Sequence, residues 1–152
     1  MKIAVGADEN TNLVEAIVRH LEGNGHQVRR FGAAAGEQEP WAKTAVRVAE
    51  SVASGQWDQG IVCCWTGTGV SIAANKVSGI RAALCADAQT ARGARKWNDA
   101  NVLALSLRRT SEEVAREILD AWFSEPYGNT EDPSLDVIRT HDADRFPKSN
   151  DP

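Results

Sequence analysis

Short apolar runs alternate with helically spaced segments along most of the chain, and this rhythm leaves few folds open. Lys2 to Val5, His26 to Phe31, Gly60 to Cys64, Ile80 to Cys85 and Val102 to Leu105 read as strands. Between them lie helical segments at Asn12 to Leu21, Pro40 to Ala53, Val70 to Lys76, Ala88 to Lys96 and Ser111 to Phe123. Leu13, Ile17, Val18 and Leu21 share one face of the first. Gly23-Asn24-Gly25 stops it, as Gly55 stops the second. Ser111-Glu112-Glu113-Val114 carries the cap and the acidic first turn of a helix start. Gly32 to Glu39 is a small-residue loop. Continuous rather than alternating strands belong to a parallel sheet covered on both faces. Such sheets bind ligands beyond the carboxyl ends of their strands, so Gly6-Ala7-Asp8, Trp65 to Gly69 and Asp87 are the places to search.

A chain of 152 residues suits one core, here an α/β domain over residues 1–124. The tail, residues 125–152, is polar and rich in Pro and Asp. It is expected on the surface or across a partner subunit, with its last ten residues disordered. A net charge of −4 argues against nucleic acid or an anionic membrane as partner. No run is long enough to span a bilayer, and Met1 to Gly6 has no signal-peptide pattern. The three cysteines, two of them adjacent, make no disulfide framework and suit a reducing cytoplasm. No His/Cys/Asp spacing suggests a metal, and no cofactor motif is complete. Most of the five tryptophans are expected to be packing residues.

Thr66-Gly67-Thr68-Gly69 stands between a strand and a helix. Glycines there let backbone approach a ligand, and a helix start offers free N–H groups. The segment lacks both the Lys-Ser/Thr ending of a nucleotide loop and the G-x-G-x-x-G spacing of a dinucleotide site. Spacing alone is met equally well by a plain tight turn. Cys64 ends the strand before it, where a thiolate can move a proton between adjacent sugar carbons. Position alone favours the plainer reading of Cys64, a small buried apolar residue. Cys63 alternates to the other face and belongs to the core, as does Cys85.

The blocks Cys64-Trp65-Thr66-Gly67-Thr68-Gly69, Ser71-Ile72-Ala73-Ala74-Asn75-Lys76, Gly79-Ile80-Arg81-Ala82-Ala83 and Asn98-Asp99-Ala100-Asn101-Val102-Leu103-Ala104 go further. In sequence and in spacing, from Met1 to about Phe123, the chain resembles the type B ribose-5-phosphate isomerases and their galactose-6-phosphate isomerase relatives. The resemblance implies a Rossmann-like three-layer α/β/α sandwich with a five-stranded parallel sheet. It implies a homodimer or tetramer whose active sites are shared between subunits. It also implies metal-free, cofactor-free aldose–ketose isomerisation of a small sugar or sugar phosphate through a cis-enediolate. On that likeness Cys64 is the base, with Thr66 beside the reacting carbons. The backbone of Gly67, Thr68 and Gly69 forms the anion hole, Asp8 and Asn98 hold substrate hydroxyls, and Arg108 survives from the phosphate-binding set.

Several positions depart from the family pattern. Glu9 and Trp97 stand where the family has histidines, the second of which helps to open the sugar ring. Trp65 replaces a glycine, and Trp41 stands near a usual tyrosine. Glu131 and Leu135 fall where two arginines are usual, with Arg139 near but out of register. Like charges about 4 Å apart cost on the order of 4 kcal/mol at an effective dielectric near 20, so Glu9 opposes a phosphate. Each lost arginine contact removes roughly 1.5–3 kcal/mol. Trp97 cannot shuttle a proton but can stack on a sugar face. Drift in a tolerant scaffold is one reading. The reading preferred here keeps the base and rebuilds the substrate end, Glu9, Trp65 and Trp97 included, for an altered or non-phosphorylated sugar. The alternative is a non-catalytic sugar-binding relative.

Elsewhere, His20 is expected to be solvated, His26 has no partner in sequence, and His141 could cross to a neighbouring site. Arg92, Arg95 and Lys96 read as a solvated basic face, and Arg116 with Asp120 as a surface pair.

Overall fold

The computed structural model describes residues 1–145. Its elements run β1 (Lys2–Ala7), α1 (Asn12–Gly23), β2 (Gln27–Gly32), a 3-10 turn (Ala33–Ala35), α2 (Trp41–Ala53), β3 (Gln59–Cys64), α3 (Thr68–Ala74), β4 (Ala82–Leu84), α4 (Ala88–Asn98), β5 (Val102–Ser106), α5 (Glu112–Ser124) and α6 (Asp132–Arg145). The five strands form one parallel sheet in the order β2-β1-β3-β5-β4.

Two apolar layers enclose the sheet, so the three-layer α/β/α expectation holds. On one face Val5, Ile61, Cys63 and Leu103 pack with Ile17 of α1, Ala91 of α4 and Leu119 and Trp122 of α5. On the other, Ala4, Val62, Cys64 and Ala104 pack with Val48 and Ala49 of α2 and Val70 and Ala73 of α3. The central strands are buried on both sides, which is why their sequences are continuously apolar. Trp57 and Trp122 are core residues, and the Trp122 indole N–H donates to Gln59 at 2.6 Å. Side-chain caps start three helices: Thr11 accepts from Val14 N–H, Asp87 from Thr90 and Ser111 from Val114.

Three boundaries differ from expectation. Helix α3 begins at Thr68, so half of the glycine segment is its first turn. Strand β4 is only three residues long; just before it, Arg81 N–H donates to the Asn101 side chain. The tail holds a helix, α6, that nothing in its weak amphipathic pattern announced. Leu135 anchors it at 2% exposure, and Asp142 accepts from Ser78 Oγ and Gly79 N–H at 2.9 and 2.6 Å. Residues 143–145 close that helix. The rest of the end expected to be disordered lies outside the described residues. No helix among the described residues is long and apolar enough to cross a membrane.

Candidate active site

The strand order sends the chain from β1 outward to β2 and then back across to β3, which opens a crevice beyond the carboxyl ends of β1 and β3. Asp8 and Glu9 leave β1 on one side, both exposed. Cys64 ends β3 on the other. The Asp8 N–H donates to the Cys63 carbonyl at 3.3 Å and ties the two strand ends together. Burial raises the Asp8 carboxyl above its ordinary value, and the charge of Glu9 adds to this against the lowering effect of nearby backbone N–H groups.

Cys63 and Cys64 point into opposite layers, as strand alternation requires. Cys63 is wholly buried, and burial pushes its thiol up to about 12. Cys85 is likewise buried and pushed up to about 12. Cys64 is a free thiol, 6% exposed, at the strand tip.

Gly67 takes φ +76°, and a Cβ there would stand 2.5 Å from Leu84 Cδ1 and 2.9 Å from the Leu105 carbonyl carbon. Both its dihedral and its packing therefore demand glycine. The turn leads into α3, whose first N–H groups lack partners within the helix. The Thr66 and Thr68 hydroxyls lie 2.8 Å apart. The strand β5 end braces the loop from behind: Ser106 Oγ and Arg108 N–H both donate to the Trp65 carbonyl, at 2.9 and 3.1 Å, and Leu107 N–H to that of Cys64. This places exposed Arg108 beside the loop, with no carboxylate partner among the described residues. Trp65 is 58% exposed.

Asp8, Glu9, Cys64 to Gly69 and Arg108 thus share one end of the sheet. Trp97 and Asn98 do not. They close α4, about 16 Å along from its start beside that end. Just beyond them, the Asn101 carbonyl accepts from Gly60 N–H at the opposite, amino end of β3. The Trp97 ring lies on Gly93 of its own helix, where a Cβ would meet it at 2.8 Å, along a groove of about 640 Å³ with Leu84, Asp87 and Thr90. Asn98 lines a second cavity of about 570 Å³, with Asn75, Arg81 and His141. Among the described residues no cluster of metal-ligating side chains occurs.

Three surface expectations are corrected. His20 is not simply solvated: its Nε2 lies 2.7 Å from Asp120, joining α1 to α5. Arg116 pairs with Glu112 instead of Asp120. Arg95 turns inward over the Trp122 ring and onto the Ala100 carbonyl, because α4 ends in a left-handed Asp99 that aims this carbonyl at it. His26, without a partner in sequence, packs on Phe123 with ring centroids 4.7 Å apart.

Sequence reading placed Trp41 near a usual tyrosine but missed its contact with the loop, and missed Glu39 altogether. The Trp41 ring rests against Gly69, and Glu39 is a carboxylate with only 7% of its side chain exposed. The Trp41 contact joins segments distant in the chain, whereas the partners of Glu39, Thr44 and Arg47, lie within eight residues of it but in no recognised motif.

The ribose/galactose isomerase family model matches residues 3–138. The chain belongs to the ribose/galactose isomerase family. It is 42% identical over 127 residues to ribose-5-phosphate isomerase B of Escherichia coli K12, covering 83% of this chain and 85% of the relative. It is 37% identical over 141 residues to a D-erythrulose-4-phosphate isomerase of Pectobacterium atrosepticum, covering 91% and 93%. The solved ribose-5-phosphate isomerase B of Clostridium thermocellum superposes with a TM-score of 0.89 at 39% identity, covering 95% of this chain and 99% of that one. Family membership makes the chain a sugar-phosphate isomerase of the aldose–ketose type.

Proposed function

We propose that this protein interconverts an aldose and a ketose with Cys64 as the base, at a site whose substrate end is rebuilt relative to the family pattern. The observation that carries the reading is the free Cys64 thiol at the tip of β3, three residues before the left-handed Gly67 that caps α3 without a side-chain hydrogen bond. The Cys64 thiolate takes the proton from C2 of an open-chain aldose: the C2–H bond breaks and an S–H bond forms. The charge moves to O1, where the backbone of Gly67, Thr68 and Gly69 stabilises it. The thiol then returns the proton to C1, while a proton passes from O2 to O1 beside Thr66. Asp8 holds a substrate hydroxyl.

Arg108 is a cation beside the loop for an anionic group, and Glu9 opposes such a group from across the crevice. Relatives named for ribose 5-phosphate and erythrulose 4-phosphate bracket the expected size of the sugar. A second copy supplies Trp97 and Asn98, since α4 carries them away from the loop of their own chain. The shared sites make the protein a homodimer or tetramer. Three free cysteines accord with a cytoplasmic location.

The test is a panel of free and phosphorylated four- to six-carbon sugars in deuterated water, with deuterium at C1 and C2 followed by NMR. Turnover with label uptake at one of them supports the reading. Tight calorimetric binding with no label uptake would instead support a non-catalytic sugar binder.

A further inference from the structure

We propose that Trp41 is a positioning residue of this isomerase site, and that Glu39 holds it in place. The inference rests on the isomerase reading above. A Cβ on Gly69 would stand 3.0, 3.1 and 3.2 Å from three consecutive carbons of the Trp41 six-membered ring. The ring therefore already lies against the Gly69 backbone. Gly69 has no positive φ, so the contact with Trp41 is what a side chain there would meet. Gly67 fixes one end of the loop through its dihedral, and Trp41 fixes the other through packing. The indole remains 45% exposed.

The placement of Trp41 is itself constrained. Trp41 is the first residue of α2, after Pro40. Two residues before it, the Glu39 carboxylate accepts from Thr44 Oγ1 at 2.9 Å and from Arg47 Nη1 at 2.8 Å. Arg47 also binds Glu37, whose carboxylate accepts from Gly32 N–H. Burial works against ionisation of Glu39, yet the hydrogen bonds from Thr44 and Arg47 outweigh it and hold the carboxyl below its ordinary value. This clasp closes the 33–39 loop onto α2 and sets where the indole falls. An aromatic plate has few rotatable bonds, so a seated indole keeps the loop from Thr66 to Gly69 in one geometry at small entropic cost.

The expected result is that Trp41→Ala lowers kcat at least tenfold with KM changed less than threefold, and that Trp41→Phe recovers most of the loss. Glu39→Gln shifts the same parameter in the same direction, by less. An unchanged kcat in Trp41→Ala, or a loss confined to KM, overturns the proposal. A second measurement does not depend on turnover. Gly69→Ala lowers the melting temperature in the wild-type background and has little effect in Trp41→Ala, where the space is open. Equal shifts in both backgrounds overturn the proposal even if no substrate is found. Failure of the isomerase reading shows separately, as a wild-type protein that exchanges no sugar proton.

Discussion

The side-chain amide of Asn75 grips both backbone groups of Ala82: its Nδ2 donates to the carbonyl at 2.9 Å and its Oδ1 accepts from the N–H at 2.8 Å. Ala82 begins β4, the outermost strand of the sheet, so the amide stands in for a missing neighbour strand. The same Nδ2 also donates to the Ser71 carbonyl and so binds α3 to the sheet edge. Asn75→Ala is expected to cost about 1–2 kcal/mol, the net worth of such bonds at a partly solvated site. Hydrogen exchange at the Ala82 amide should rise with it. Unchanged exchange there would mean that the edge needs no splint.

Gly67→Ala should be more damaging than Gly69→Ala. At position 67 a methyl group meets backbone of Leu105 and a left-handed φ at once, whereas at 69 it meets side-chain atoms alone, at 3.0–3.2 Å, with no unfavourable φ. Left-handed strain alone costs roughly 1–2 kcal/mol, and the contacts add to it. Denaturant unfolding of the two variants checks the order, which the account requires to be 67 worse than 69.

The fold was legible because each central strand is apolar on both faces and each helix from α1 to α5 on one. The strand-to-helix turn after Cys64 was legible because Gly67 and Gly69 lie close together between a strand and a helix. Roles inside the motif blocks were not. Asn75, Asn101, Arg81 and Asp99 stand in the motif blocks with no role evident in sequence, and here they splint and close the β4 edge: Asn101 Oδ1 accepts from Arg81 N–H, and Arg81 pairs with Asp99 at 2.9 Å. Helix α6 was illegible because its pattern is polar nearly all round and Leu135 alone is deeply buried. The seat of Trp41 on Gly69 was illegible because it joins α2 to α3 across the layer.

Acid should weaken the protein partly through His26. Burial lowers the pKa of its imidazole from 6.5, so the folded state holds it neutral while the unfolded chain takes up a proton. Its contribution is complete above the unfolded value, and falls away as pH drops through the folded one. His26→Phe keeps an aromatic ring against Phe123 and removes the proton site. Its melting temperature should therefore fall less between pH 7.5 and 5 than that of the wild type; an equal fall would remove His26 from the account.

Thiol labelling should separate the three cysteines. Cys63 and Cys85 are buried with thiols pushed up to about 12, and neither should react in the folded protein at pH 8. Cys64, at the strand tip, should react first with a small alkylating reagent, as read by peptide mass mapping. Labelling of Cys63 or Cys85 ahead of Cys64 would contradict the assigned orientations.

The most direct test of Cys64 as the base is proton exchange at C2 of whichever sugar the wild type turns over, followed by NMR in deuterated water with Cys64→Ala. General base catalysis contributes about 10²–10⁴-fold, so exchange should fall by that factor while calorimetry shows the sugar still bound. Exchange within tenfold of wild type would contradict the account.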